Sequence, residues 1–179
     1  MSEPPRREVG IDGVLLFELS THRDDRGGLT ETFRKEWIPG VGEMVQANLS
    51  RSSAGVLRGL HHHREQADHW VFLSGSAFVG LFDLRPGSPT EHRKAELRID
   101  ADAFPQALYI PPGVAHGFYA ETEAILQYLV DRVYTGDDEF GLAWDDPDVA
   151  IAWPDRNPML SERDRGNPSL SEVLRASTG

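Results

Sequence analysis

Three adjacent histidines are the first residues whose type and spacing suggest chemistry. His61, His62 and His63 are followed by Asp68, and His116 comes later, after a proline-rich turn. Side chains two residues apart in a strand share a face, so we expect His61 and His63 to point into the protein and His62 to point away. A lone histidine usually only satisfies a hydrogen bond, whereas a cluster of histidines near a carboxylate favours a functional site.

One interpretation of this cluster is a metal site. The spacing resembles the signature of metal-binding cupins, which runs Gly, five residues, His-x-His, four residues, an acid, six residues, Gly, and later Pro-x-Gly-x-x-His. The positions that match are Gly55, His61, His63, Asp68, Gly75, Pro111, Gly113 and His116. Three imidazoles and a carboxylate suit a borderline divalent ion such as zinc, iron, nickel or manganese. This alternative therefore implies one divalent metal ion bound by His61, His63, Asp68 and His116.

The elements that must position these residues are strands. Eight short apolar or alternating segments lie between turn sequences, at 14–19, 43–49, 56–60, 70–73, 77–84, 95–99, 107–110 and 124–130. The form Ser169-Leu-Ser-Glu172 is a capping box and predicts a short C-terminal helix. His69 alternates away from Asp68, so we expect it to point outward. The pattern predicts an all-β, double-sheet jelly roll, in a single domain over 1–179 with its core at about 10–172.

Composition narrows the possible partners. The chain has 179 residues, with 18 basic and 29 acidic side chains and a formal charge of −11. This balance disfavours nucleic acid and anionic membrane surfaces, both of which attract lysine and arginine. No cysteine is present, so disulfides and thiolate metal sites are excluded. The N-terminus lacks the apolar segment of a signal peptide, and we expect a cytoplasmic protein.

Eight sequence blocks, in order, resemble one enzyme family. They begin at Asp25, Val45, Gly55, Asp83, Tyr109, Trp144, Ile151 and Leu160. Together they resemble the dTDP-4-dehydrorhamnose 3,5-epimerase family over residues 10–172. The resemblance implies a cupin-type jelly roll without a metal cofactor, usually a homodimer, that inverts carbons beside the keto group of a dTDP-4-keto-6-deoxyhexose. This would make the protein an isomerase of deoxysugar biosynthesis.

The resemblance also implies a role for individual residues. His61 matches the catalytic base, Asp164 the carboxylate that orients the base, and Tyr128 the opposing acid, with a second family tyrosine at Tyr134. The positions implied to contact the substrate are Arg26, Glu31, Gln46, Asn48, Arg58, His63, His116, Tyr134, Glu139 and Arg163. Arg26, Arg58 and Arg163 are expected to converge on the diphosphate of the substrate, because guanidinium groups suit phosphate oxygens.

Two departures from the family keep alternatives open. Asp68 stands where the family has a lysine that steadies the enolate oxygen, and His63 stands where it has a glutamine. The chain's two lysines, Lys35 and Lys94, lie outside the matching blocks. An altered epimerase would hold the enolate with Arg58, His63 or His116. In the metal-dependent alternative, a metal-bound His61 could not also be the free base. The third alternative is a sugar-nucleotide-binding cupin that has lost its activity.

Overall fold

Two antiparallel sheets face each other and form the body of the protein. The computed structural model describes residues 3–177, so the two residues at each end of the predicted domain lie outside the described residues. Within this range the strands are β1 (Arg6–Glu8), β2 (Leu15–Glu18), β3 (Thr21–Asp24), β4 (Gly27–Thr30), β5 (Gln46–Ser52), β6 (Leu57–His62), β7 (Asp68–Ser74), β8 (Ser76–Asp83), β9 (Lys94–Asp100), β10 (Gln106–Ile110), β11 (Val114–Ala120), β12 (Ala124–Val130) and β13 (Phe140–Gly141). The helices are α1 (Glu162–Arg165) and α2 (Leu170–Ser177), and a 3-10 turn spans Lys35–Trp37.

The strand order confirms the predicted double-sheet jelly roll of the cupin type. The larger sheet has the order β1-β2-β10-β7-β12-β5, the smaller sheet has the order β13-β6-β11-β8-β9, and β3 pairs with β4 in a separate hairpin. Strands far apart in the chain are therefore neighbours, and β6 meets β11 in one wall while β7 meets β12 in the other. No helix among residues 3–177 is long and apolar enough to cross a membrane.

Apolar side chains from both inner faces fill much of the space between the sheets. Trp70 and Phe72 of β7 meet Phe118 of β11 edge to face, with ring centroids 5.8 and 5.3 Å apart. β8 is buried along nearly its whole length, because Trp153 and helix α2 cover its other face. Each fully buried large apolar side chain contributes about 1.5–3 kcal/mol, so this packing holds the two walls in a fixed relation.

All eight predicted strands are present, with ends that differ by at most three residues from the predicted ones. The capping box is also confirmed: the backbone N–H of Ser169 donates to Glu172 Oε2 at 2.8 Å, just before α2 begins. The sequence did not predict β1, β3, β4, β11, β13 or the single-turn helix α1.

His69 is buried, so the prediction that it points outward is wrong. Its side chain does alternate away from Asp68, but that outer face is covered by the segment around Trp37 and is therefore a second core. The ring is 0% exposed and packs edge-on against Phe33, while Nε2–H donates to the carbonyl oxygen of Thr32 at 2.8 Å.

Candidate active site

A cavity of about 430 Å³ lies between the sheets. β5, β7 and β12 form one wall, β6 and β11 form the other, and the segment that leads into α1 lies at its side. Its lining contains these predicted residues: Gln46, Asn48, Arg58, His61, His63, Asp68, His116, Tyr128, Tyr134, Glu139, Arg163 and Asp164. His62, which was expected to point away, does not line the cavity and instead stacks on Phe140.

Two of the predicted substrate contacts lie elsewhere in the chain. Arg26 is in the turn between β3 and β4, where its side chain is 88% exposed and pairs with Asp24. Glu31 pairs with Arg34 and lines a separate cavity beside Trp37. Within one chain, neither residue reaches the cavity between the sheets.

His61 and Asp164 form a hydrogen-bonded pair in the cavity wall. His61 Nε2 lies 2.7 Å from Asp164 Oδ1, and because an ionised carboxylate only accepts, Nε2 carries the hydrogen. Burial raises the pKa of Asp164, but the hydrogen bond and charge of His61, together with hydrogen bonds from Ser161 and the Gly59 backbone, outweigh burial and the pKa is lowered. Ser161 caps α1 by accepting from the Asp164 N–H at 3.0 Å, which fixes the carboxylate in place. The Nδ1 atom of a neutral His61 is thus left as the basic nitrogen.

Tyr128 occupies the opposite wall, on β12. Burial raises the pKa of its hydroxyl, and the carboxylates of Asp68 and Glu139 raise it further. The hydroxyl therefore keeps its proton at neutral pH and can act as a donor. The alternation of β12 places Leu126, Tyr128 and Val130 on the cavity face.

Polar and charged groups line another part of the cavity. Arg163 Nη1 pairs with Glu139 Oε1 at 2.6 Å, and Tyr134 also hydrogen-bonds Glu139. The backbone N–H of Tyr134 donates to Gln46 Oε1 at 3.1 Å, and Gln46 in turn donates to Asn48. Arg58 is held by the Ser52 hydroxyl at 2.9 Å. These contacts gather guanidinium and amide groups that suit an anionic, hydroxyl-rich ligand.

His63, Asp68 and His116 form a buried cluster. One possible ligand atom from each lies within 4.8 Å of the others. Burial lowers the pKa of His116 to about 4, so its ring is neutral near pH 7. His61 is not part of this cluster, and neither lysine is near it, because Lys35 pairs with Glu43 and Lys94 with Glu96.

Three residues that sequence reasoning did not single out support this cluster. Gln66 Nε2 and Trp70 Nε1 donate to the Asp68 carboxylate at 2.8 and 3.0 Å. The Asp138 carboxylate accepts hydrogen bonds from the backbone N–H groups of residues 64–66. The backbone carbonyl oxygen of Asp138 accepts a hydrogen bond from His63 Nδ1. The alternation of β7 could have placed Trp70 beside Asp68, but Asp138 lies 75 residues from His63 and carries no local signal.

The two sheets form a cupin-like jelly roll with a polar cavity between them. Comparison with known proteins narrows this fold class to sugar-nucleotide epimerases. The profile of dTDP-4-dehydrorhamnose 3,5-epimerases matches residues 8–172. A dTDP-4-dehydrorhamnose 3,5-epimerase from Streptomyces griseus is 36% identical, over 94% of this chain and 88% of that protein.

Solved structures agree with this match. A 4-keto-6-deoxy sugar epimerase from the novobiocin gene cluster of Streptomyces spheroides has a TM-score of 0.90 at 35% identity, over 98% of this chain and 92% of that one. A 3'-monoepimerase from Streptomyces bikiniensis, solved with dTDP-quinovose, has a TM-score of 0.85 at 34% identity, over 93% and 88%. The chain belongs to the dTDP-4-dehydrorhamnose 3,5-epimerase family, which confirms the resemblance and the isomerase class.

Proposed function

We propose that this protein epimerises a dTDP-4-keto-6-deoxyhexose at C3, C5 or both, in deoxysugar biosynthesis. The carbonyl acidifies the hydrogens on its neighbouring carbons, so inversion needs a base on one face of the sugar and an acid on the other. The observation that carries the proposal is that His61 with its Asp164 partner and Tyr128 lie on opposite walls of one cavity.

The residues divide the proton transfer between them. His61 Nδ1 takes the hydrogen from the carbon beside the keto group, and the C–H electron pair becomes the C=C bond of an enolate. Asp164, at 2.7 Å, stabilises the imidazolium that forms. Tyr128 then returns a proton from the opposite face, which inverts the centre. Each such group contributes typically ~10²–10⁴-fold to the rate.

The rest of the cavity fits a nucleotide sugar. Arg58 and Arg163 supply the guanidinium groups that a diphosphate requires, in spite of the chain's net charge of −11. Gln46, Asn48 and Glu139 offer hydrogen bonds to sugar or base. The structure of the Streptomyces bikiniensis relative with dTDP-quinovose supports this substrate class.

We further propose that the protein is a homodimer whose partner copy completes the site. Arg26 does not line the cavity of its own chain and pairs with Asp24 at the surface, although the family resemblance implies that it contacts substrate. β5 is an edge strand beside the cavity, and Val45 and Leu49 are exposed there. An open, apolar edge favours pairing with another chain, and a partner's hairpin seated there would lie next to Gln46 and Asn48.

Hydrogen exchange in deuterated water tests the reaction. The protein is incubated with dTDP-4-keto-6-deoxyglucose, and deuterium at C3 and C5 is followed by NMR or mass spectrometry. We expect exchange in the wild type and at least ~100-fold slower exchange in His61→Ala. Tyr128→Phe should lose inversion to a similar degree but keep exchange, because His61 can still remove and return the hydrogen on its own face. Exchange at C3 alone would identify a single-centre enzyme, as the name of the Streptomyces bikiniensis relative indicates for that protein. Tight dTDP binding with no exchange would contradict the proposal and favour a binding protein.

A further inference from the structure

Asp68 is a buried carboxylate without a cationic side chain beside it. Its residue is 3% exposed, and its two oxygens accept from the neutral donors Gln66 and Trp70. In the part of the chain that the structure describes, the only ion-pair partner within 4 Å is His116, at 3.8 Å. Burying a carboxylate is costly unless a cation compensates for the lost hydration. The carboxylate therefore needs a positive charge that neither lysine nor arginine provides.

A ring nitrogen of each histidine in the cluster is near this carboxylate: His116 Nε2 lies 3.8 Å from Asp68 Oδ2, and one ring nitrogen of His63 lies within 4.8 Å of the other two ligand atoms. His63 Nδ1 lies 2.6 Å from the carbonyl oxygen of Asp138, and His116 Nδ1 lies 2.9 Å from that of Val114. A carbonyl oxygen only accepts, so each Nδ1 carries a hydrogen and each Nε2 is left as the nitrogen able to bind a ligand. Metal-binding histidines typically donate their other ring N–H to a backbone carbonyl or a carboxylate in this way.

From this arrangement we propose that His63, Asp68 and His116 bind one divalent transition-metal ion, of the kind represented by Zn²⁺ or Co²⁺. Two imidazoles and one carboxylate suit such an ion, and three protein ligands leave a position open, as catalytic sites do. Ligands at ~2.0–2.2 Å from a tetrahedral ion lie roughly 3.3 Å apart. The His116 and Asp68 atoms at 3.8 Å need to approach by only a fraction of an ångström, and the other pairs, which lie within 4.8 Å, by up to about 1.5 Å.

This ligand set differs from the four residues expected from sequence, because His61 is outside it. His61 stays bound to Asp164 and remains free as the base, so metal binding and proton abstraction no longer compete for one imidazole. Epimerases of this family act without a metal cofactor. The family resemblance implies that this chain departs from the family at His63 and Asp68, and both residues are ligands in the proposed site.

The inference rests on the proposed function and names the group that holds the enolate. When His61 removes the proton, the C–H pair forms the C=C bond and the C=O π pair moves onto the keto oxygen. The ion would bind that oxygen and stabilise its charge, and no electron is gained or lost. The ion would thus supply positive charge beside the enolate, which the Asp68 carboxylate alone would repel.

Cobalt binding tests the site independently of activity. The purified protein is stripped with a chelator and titrated with Co²⁺, and binding is followed by the visible absorption of the bound ion and by elemental analysis. We expect one equivalent to bind. His63→Gln and Asp68→Asn should each weaken binding by about 100-fold or more, because loss of a supporting residue alone costs ~10–100-fold. His92→Asn is the matched control, because it removes an exposed histidine outside the cluster and should leave Co²⁺ binding unchanged. The backbone of His92 has a φ of 60°, which asparagine also adopts.

The outcomes separate this inference from the proposed function. Failure of the wild type to bind Co²⁺, or undiminished binding in both variants, would overturn the metal site. Hydrogen exchange by the stripped protein at the full rate would overturn the ion's role while supporting the epimerase. One bound ion without any exchange would support the site and contradict the epimerase. The double variant His63→Gln/Asp68→Lys, which places an ammonium at the site, should exchange hydrogen with no response to chelator.

Discussion

Two buried aspartates, Asp83 and Asp68, differ in the groups that donate hydrogen bonds to their carboxylates. Asp83 is 0% exposed, and its carboxylate accepts from the guanidinium of Arg85 at 2.7 and 2.8 Å and from the hydroxyls of Ser88 and Thr90. Asp68 is almost as buried but accepts only from an amide and an indole. Asp83 is thus satisfied by the protein itself and is structural, whereas Asp68 faces a cavity and lacks a cation.

At Asp83 this difference predicts a pH-dependent loss of stability. Burial raises the pKa of Asp83, but its hydrogen bonds from Arg85, Ser88 and Thr90 outweigh burial and hold the pKa well below the ordinary value of 3.8. Because the pKa of Asp83 is lower in the folded than in the unfolded chain, the ionised carboxylate stabilises the folded state fully at pH values above about 3.8. This stabilisation is lost as the pH falls below 3.8 toward the lowered pKa. We expect Asp83→Asn to reduce the free energy of unfolding by about 2–3 kcal/mol at pH 7 and by less at pH 3.

Urea unfolding at both pH values measures this effect. Asp145→Asn, at an exposed acid, serves as the control and should change little at either pH. An equal loss at pH 7 and pH 3 for Asp83→Asn would contradict the electrostatic explanation.

Among the elements, β11 and β6 determine the geometry of the site, and they approach each other closely at a pair of glycines. A Cβ atom on Gly117 of β11 would lie 2.6 Å from the carbonyl oxygen of Arg58 and 3.1 Å from the Cα of Gly59. Both contacts are with backbone of β6, which carries His61. Gly117 is therefore required for β6 and β11 to pack at the distance that places His61 and His116 in one cavity.

Gly117→Ala is expected to destabilise the protein by about 1–3 kcal/mol, since the strands must separate to admit the methyl group. Thermal or urea unfolding gives the change in stability. Gly166→Ala provides the comparison, because a Cβ at Gly166 would have its nearest neighbour at 3.5 Å, an ordinary contact. Similar stability for both variants would show that the two strands have room to adjust.

The same strands show where sequence reasoning reaches its limit. Segments such as 77–84 and 124–130 are recognisable because their apolar residues are local and continuous. β11 (Val114–Ala120) was not predicted because it follows Pro111-Pro-Gly113 directly, and that turn signal was extended to His116. The family resemblance supplied His61, Asp164 and Tyr128, and the structure places all three in one cavity. His61 pairs with Asp164, 103 residues away, and is not part of the His63–Asp68–His116 cluster; no local sequence pattern encodes that pairing.

On the scale of the whole molecule, one chain contains most of the expected site but not all of it. Arg26 and Glu31 belong to the surface around the hairpin β3–β4, where Leu29 is 65% exposed. Arg26 is therefore open to contact by another copy of the chain. If the partner copy contributes Arg26, each active site is built from two chains.

Mixing two defective chains tests this arrangement. Arg26→Ala and His61→Ala homodimers should both be weak in hydrogen exchange, because each site lacks one group. In a mixed dimer one site receives both defects and the other receives neither, so exchange should recover after the two proteins are unfolded together and refolded. His61→Ala mixed with Asp164→Ala should not recover, since both residues come from the same chain as the cavity. Light scattering checks that the species is a dimer. No recovery in the first mixture would mean that Arg26 acts, if at all, in its own chain.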